Sequence, residues 1–443
     1  MKKIKELHLS YRIITFLGLD PAIKFSAACR NKLVGGKTGG VCVTPEMQTR
    51  ELRLSGVDAT LLVPKPPAAI LPKNHFYSFI ESRIPLNYSV EQLLQESDLL
   101  NEISKKLEGY DLIKVNHGLA ASIVLALKRR GDIKSDIKVI YGDIMWGRNI
   151  INVRKLCPTR DSIEQEILLT ADKIIVYTNA EKELIKRNYS DVVDPKVIDK
   201  KITIIPLGVD TKRVNYKVRQ QYRKRLRNHY LKNLSDTINF FILARFDQLK
   251  NQKRAIIAFC KALEENSNLN ISLSLFGGIG YCAKSKTYYD EICKHVESQP
   301  EHIKSRIKFH GIRPTIHALA VGDVFLGLSL FEMWYLAANE AMACLVPTVL
   351  SDTQIMREIY GNGNCFIDPY GIDSIKDAII KMATDNKFRQ KIKRYNYQHT
   401  KKYSWKNSVK HLKKVFDETM RADNFVRINK NYTDIKYSTF IYA

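Results

Sequence analysis

Short apolar runs alternate with amphipathic stretches along most of the chain. In the first half, YRIITFLG (11–18), VDATLLVP (57–64), DLIKVNH (111–117), IKVIYGD (137–143), KIIVYTN (173–179) and ITIIPLGVD (202–210) are strand-length runs rich in β-branched and aliphatic residues. Between them EMQTRELRLSG (46–56), ASIVLALKRRG (121–131), SIEQEILLTA (162–171) and AEKELIKRNY (180–189) space their apolar residues as helices do. The pattern restarts at INFFILARF (238–246). It continues through NQKRAIIAFCKALEEN (251–266), ISLSLFGG (271–278), YYDEICKHVESQ (288–299), IKFHGI (307–312), TIHALAVG (315–322), DVFLGLS (323–329), LAANEAMAC (336–344) and PTVLSD (347–352). Strands apolar on both faces, each followed by a helix, predict parallel sheets covered on both sides. The expected fold is α/β, with two doubly wound, Rossmann-like domains over 1–208 and 209–400. A basic amphipathic helix over 401–420 and a tail over 421–443 complete the chain.

Ligands of open α/β sheets bind beyond the carboxyl ends of the strands, so side chains there are the candidates for chemistry. Glu332 follows the strand DVFLGLS, and Glu340 lies eight positions on, in the helix that begins near Tyr335. The N-terminus of that helix presents free N–H groups and a positive dipole end, which suits a phosphate. A carboxylate in the loop can accept hydrogen bonds from sugar hydroxyls, and one a turn further on can take the paired hydroxyls of a ribose. A surface loop followed by a dipole-favoured glutamate accounts for the same pattern. Arg245 at one strand end and Lys250 at the start of the next helix would together cradle a diphosphate without a metal; a solvated turn is the alternative. His117 ends a strand and can reach a sugar hydroxyl or a reacting centre, or be structural. GGKTGGVCVTP (35–45) places Gly39 and Gly40 where backbone could approach a phosphate closely, although it is neither a Walker loop nor a G-x-G-x-x-G.

Composition adds one constraint. The 443 residues are 45% hydrophobic and 26% charged, an ordinary globular balance, but 71 Lys and Arg against 46 Asp and Glu leave a net charge of +25. Such an excess favours an anionic partner or reflects a lysine-rich solvated surface. TKRVNYKVRQQYRKRLRNHYLK (211–232) contains no acidic residue, and helical spacing aligns Arg219, Arg223 and Arg227 on one face. The expectation set against a plain solvated face is that this face docks on an anionic membrane. No apolar run reaches spanning length, and the N-terminus lacks the continuous apolar core and small-residue cleavage site of a secretory signal. The eight cysteines form no C-x-x-C pair. A cytoplasmic chain with free thiols, peripheral at most on a membrane's inner face, is expected. No carboxylate pair has metal-binding spacing, so neither a metal nor a bound cofactor is expected.

These segments together resemble a family. SLFEMWYLAANEAMACLVPTVLSD (329–352) is similar to the E-x7-E segment of retaining GT-B glycosyltransferases of family 4, the glycosyl transferases group 1. LARFDQLKNQKRAIIAF resembles that family's Arg-x4-Lys segment, and TGGVCVTPEMQTRELRLSGVDATLLVP its glycine-rich loop, first helix and second strand. TADKIIVYTNAEKELI, ITIIPLGVD and YSWKNSVKHLKKVFDE extend the likeness in collinear order to the final helix, which in the family returns to the first domain.

The resemblance implies the GT-B architecture, two domains facing across a cleft, with a nucleotide-sugar donor as co-substrate and retention of anomeric configuration. It assigns Arg245 and Lys250 to the donor diphosphate, Glu332 to the donor sugar, Glu340 to the ribose and backbone near Ile312 to the base. His117 would lie by the sugar, and Gly39 and Gly40 would close over the phosphates. Met333, Trp334, Tyr335 and Leu336 stand in the donor loop, where the family usually has a glycine-aromatic-glycine run; the bulk of Met333, Trp334 and Tyr335 is expected to narrow the space open to the donor.

The acceptor is expected to be a glycan or lipid-linked molecule at an anionic membrane. Two other readings are a GT-B-fold binding protein without turnover and a transferase acting on a polyanion such as DNA. No aromatic-interleaved basic motif supports a nucleic-acid partner.

Overall fold

A computed structural model of the chain describes residues 12–16, 40–64, 77–81, 95–116, 118–142, 146–150, 158–280 and 283–422. The chain divides into two compact units, one running to Leu207 and resuming at Trp405, the other spanning Gly208–Ser404.

The first unit is built on a parallel sheet of β1 (Ile13–Phe16), β2 (Ala59–Pro64), β3 (Tyr77–Ile80), β4 (Leu112–Asn116), β5 (Lys138–Gly142), β6 (Lys173–Val176) and β7 (Ile202–Ile204). The strand order is β3-β2-β1-β4-β5-β6-β7. Because successive side chains point to opposite faces, each strand feeds two cores. Ile14, Ile113, Val139 and Tyr141 pack into one. Their neighbours Ile13, Leu112 and Ile140 pack into the other, against Leu52 and the apolar stripe Val409, Leu412, Val415 and Phe416 of the helix Trp405–Arg421. β3 adds to the strands expected from the sequence, its four residues being too few to show a period. The helix expected from Glu46 begins at Gly40, with Pro45 inside it. Gly40 therefore opens a helix instead of lying in a loop.

The second unit repeats the design with β8 (Ile238–Leu243), β9 (Ile271–Phe276), β10 (Ile307–Gly311), β11 (Val324–Gly327), β12 (Thr348–Ser351) and β13 (Cys365–Ile367). Its order is β10-β9-β8-β11-β12-β13, all parallel. The two ends of this unit meet, since Val209 and Ser404 form an isolated parallel bridge. None of the helices among the described residues is long and apolar enough to cross a membrane.

The arginine-rich segment corrects an expectation. It forms the helix Tyr216–Leu231, and Arg219, Arg223 and Arg227 do share a face, but that face points into the unit. Arg219 and Arg227 are buried. Arg219 donates to the carbonyls of Leu319 and Gly322, both at 2.8 Å. Arg223 donates to the carbonyl of Ala320 at 3.1 Å, and Arg227 to that of Val321 at 2.7 Å. The three guanidinium groups thus take up the last carbonyls of the helix Thr315–Val321, the end where cations are favoured. Burial pushes Arg219 down to about 10, still charged at neutral pH. Burial alone would raise the carboxyl of Asp323, yet Arg223, Arg227 and the N–H of Asn239 hold it below its ordinary value. These three arginines are not a membrane-docking face.

Beside this clamp, the His310 ring stacks on Phe276 at 4.4 Å, and its Nε2 lies 3.1 Å from Ser274 Oγ. Burial, then Arg313, Lys308 and His229, push its pKa down to about 4.

Two outcomes follow from these buried groups. Arg219→Gln should lower the free energy of unfolding in urea by about 2 kcal/mol, because it orphans buried carbonyls. Its retention on anionic vesicles should match that of the parent. The unfolded chain takes up a proton at His310 near the ordinary value of 6.5, while the folded protein excludes it until about 4. Stability should therefore be full above pH 6.5 and fall as the pH drops through that window. Urea midpoints measured across it should slope less in His310→Gln.

Candidate active site

The site residues of the second unit collect at the carboxyl ends of its central strands. After β8 the chain turns sharply. Arg245 lies exposed two residues past the strand, and its carbonyl accepts from Gln252 Nε2 at 2.6 Å. Asp247 caps the single turn Gln248–Lys250 through the N–H of Leu249 at 3.0 Å. Asn251, with φ of 61°, then redirects the chain into the helix Gln252–Glu265, so Lys250 closes a turn before the helix instead of opening it. Asn251 Nδ2 donates to the carbonyl of Pro369 at 2.7 Å, which locks this left-handed residue in place.

The loop after β11 is joined to that turn by the N–H of Leu330 donating to the Leu249 carbonyl at 2.8 Å. Lys250 and Glu332 form an ion pair, with side chains 19% and 10% exposed. Lys250 Nζ also stands 5.1 Å from the centroid of the Tyr335 ring. Two charges so far out of water attract strongly and also cost much to desolvate, so the pair is an energetic focus of the site. Burial and the neighbouring Glu332 carboxylate raise the Tyr335 hydroxyl above its ordinary value.

From Tyr335 the chain enters the helix Leu336–Ala343, whose N-terminus carries no side-chain cap. Its first N–H groups and dipole face the same end of the sheet as Lys250. Glu340 lies on this helix, with Arg213 Nη2 at 3.7 Å from its carboxylate. Trp334 and Tyr335 are buried, the first packed edge-on against Tyr403 and the second against Phe325. The bulk of these two rings is thus taken into the unit, so of the three residues expected to narrow the loop only Met333 is left outside the core. Met333 and Leu336 are partly exposed.

Ile312 follows β10 and is partly exposed. A Cβ on Gly278 would come within 2.9 Å of Ile312 Cδ1, and one on Gly277, at φ 150°, would strike the Ala244 carbonyl at 1.8 Å. These two glycines let the ends of β8, β9 and β10 approach one another, and Phe246 N–H donates to the Gly278 carbonyl at 2.8 Å. The sequence reading passed over them as the end of a strand, although a Gly-Gly pair at a carboxyl end is a usable signal. It also passed over Arg213, Asn339 and Tyr360, whose relevance is visible only through contacts.

The structure therefore brings Lys250, Glu332 and Tyr335 into direct contact, and it sets Arg245, Ile312 and Glu340 on the same end of the same sheet. Gly40 belongs to the first unit; His117 and Gly39 lie outside the described residues. Among the described residues, no group of three or more His, Cys, Asp and Glu is placed to hold a metal ion.

Residues 38–213 match the Glycosyltransferase Family 4 description and residues 223–399 match Glycosyl transferases group 1. The chain belongs to the GT-B glycosyltransferases of the family 4 type. A curated relative is the D-inositol 3-phosphate glycosyltransferase of Corynebacterium jeikeium (strain K411), 22% identical over 270 residues. That match spans 60% of this chain and 60% of the relative's length. Among solved structures, sucrose-phosphate synthase from Thermosynechococcus elongatus superposes with a TM-score of 0.71 at 17% identity, over 92% of this chain and 98% of that one. Anabaena HepE in complex with UDP-glucose gives 0.70 at 14% identity, over 92% and 100%. At such identities the likeness speaks for the fold, which is the GT-B fold expected from the sequence.

Because Glu332 neutralises Lys250, an anion that engages Lys250 competes with that carboxylate. Glu332→Gln should therefore tighten binding of inorganic pyrophosphate several-fold in titration calorimetry, and Lys250→Ala should weaken it by about tenfold or more. Equal affinities in parent and Glu332→Gln would mean that the pair does not compete with the anion.

Proposed function

We propose that the protein is a retaining glycosyltransferase that moves a sugar from a nucleotide-sugar donor to a hydroxyl of a glycan or lipid-linked acceptor. One observation carries the reading: the Lys250–Glu332 pair stands at the carboxyl ends of β8 and β11, next to the uncapped helix N-terminus at Tyr335. A cation, uncapped N–H groups and a carboxylate are the three groups that a sugar joined to a diphosphate requires. The family's solved neighbour that holds UDP-glucose supports the same donor class.

In this reading Arg245 and Lys250 hold the diphosphate, with the N–H groups of the helix Leu336–Ala343 alongside. Released from Lys250 by the incoming phosphate, Glu332 accepts hydrogen bonds from the donor sugar. Glu340 takes the ribose hydroxyls, the backbone near Ile312 takes the base, and Met333 to Leu336 line the donor. The acceptor hydroxyl attacks the anomeric carbon from the face on which the phosphate departs. The bond from that carbon to the phosphate oxygen breaks as the new glycosidic bond forms, and the departing phosphate oxygen takes the acceptor's proton. Charge on the leaving diphosphate grows in the transition state, so preorganised cations accelerate the step without a protein nucleophile. The chain's net charge of +25 favours an acceptor that is itself anionic or carried on an anionic surface.

Hydrolysis or transfer measured over a panel of nucleotide sugars tests the proposal. Arg245→Ala and Lys250→Ala should each lower kcat by about a hundredfold, the usual effect of losing one electrostatic group, or roughly 3 kcal/mol. Activity should persist in excess EDTA. Turnover in both variants matching the parent, or loss with EDTA that magnesium restores, would refute this mechanism.

A further inference from the structure

The loop that carries Glu332 is fastened from beneath at two points. The Trp334 ring packs edge-on against Tyr403, with centroids 4.8 Å apart. The Tyr335 carbonyl accepts the helix's first N–H groups, from Ala338 at 3.0 Å and Asn339 at 3.3 Å, and also the Tyr360 hydroxyl at 2.8 Å and Asn339 Nδ2 at 3.4 Å. Asn339 Nδ2 lies 3.1 Å from the Tyr360 oxygen as well. Both fastenings lead to the same place, because the carbonyl of Ile359, the residue before Tyr360, accepts from the Tyr403 hydroxyl at 2.6 Å and from His399 Nε2 at 2.8 Å. Tyr360 and Asn339 are both 0% exposed, so neither can touch a ligand. Burial raises the Tyr360 hydroxyl well above its ordinary value, which keeps it a donor.

What these buried groups can do follows from peptide geometry. A peptide unit is planar and trans, so its C=O and N–H point in opposite directions. The Tyr335 carbonyl shares its peptide with the N–H of Leu336. With that carbonyl held both by the helix's own N–H groups and by Tyr360, the Leu336 N–H points the opposite way, at the head of a helix that has no side-chain cap. The same grip fixes the chain three residues from Glu332. The helix's own bonds leave its first turn able to fray, a side-chain hydrogen bond to its opening carbonyl resists that, and any fraying adds an ordering cost to binding.

We infer that Tyr360, assisted by Asn339, is a positioning residue that holds the Tyr335–Leu336 peptide and Glu332 in the arrangement that receives the sugar-phosphate end of a nucleotide sugar. The inference rests on the glycosyl-transfer reading for its ligand, and on the contacts alone for the loop.

The test uses the full chain with Tyr360→Phe and, separately, Asn339→Leu, each removing polar atoms while keeping most of the bulk. Hydrogen exchange of peptides covering 330–338 in the free protein should be about tenfold faster in both, as expected when one buried hydrogen bond is lost. Exchange in β8 and β9 should match the parent. With a nucleotide sugar that the parent turns over, kcat should fall about tenfold, while nucleoside diphosphate affinity changes by less than about threefold. A merely structural role would instead speed exchange throughout the unit and weaken both. Unchanged exchange at 330–338 in both variants overturns the inference, and so does faster exchange with kcat intact. If the parent turns over no nucleotide sugar, the glycosyl-transfer reading fails separately, and the exchange data alone decide whether Tyr360 holds the loop.

Discussion

An ion pair with little access to water, Lys250 to Glu332, joins two loops 82 positions apart in the chain. Neither charge could be left in that place alone, since an unpaired buried charge is costly. The pair therefore dictates how closely the ends of β8 and β11 approach, and the loop backbone conforms to it, with Leu330 donating to Leu249 beside it. It also sets the terms on which anything binds. A ligand that brings only negative charge must compete with Glu332, whereas one that brings hydroxyls with its phosphates offers both partners a replacement. Under the proposed function, selectivity for a sugar joined to a phosphate rests on these two side chains.

Charge elsewhere in this unit is spent on architecture. Arg219, Arg223 and Arg227 lie in a segment without acidic residues, which invites a surface role, and they act as a cap for a helix about a hundred positions further on. Helix periodicity placed them on one face but could not say whether that face meets water or carbonyls. Their partners are mostly backbone atoms, and backbone atoms leave no trace in composition.

The same distinction separates what was legible from what was not. Both parallel sheets follow from apolar runs punctuated by helices, because burial on both faces writes itself into the strand residues. That Glu332, Arg245 and Lys250 follow strands was legible from the apolar runs before them; that Lys250 and Glu332 pair with each other was not, because the partners are 82 positions apart. Short elements such as β3, and residues that matter through one hydrogen bond, such as Tyr360, carry no periodicity and resemble ordinary core. Bulk misled in the opposite direction. Trp334 and Tyr335 in place of small residues suggest an obstructed loop, and with it a protein that binds without turning over. Their rings pack instead against Tyr403 and Phe325, which leaves Met333 alone of the three in the loop's open part.

The bridge between Val209 and Ser404 joins the points where the chain passes into and out of the second unit. That unit is therefore an insertion whose two ends are neighbours, and the first unit is a discontinuous domain completed only when the helix Trp405–Arg421 has been made. During synthesis the second unit, whole at Ser404, is free to fold first, while the N-terminal sheet waits for Val409, Leu412 and Phe416 to cover one of its faces. The half of the molecule translated first is the half that finishes last, and until then it exposes an apolar face to aggregation.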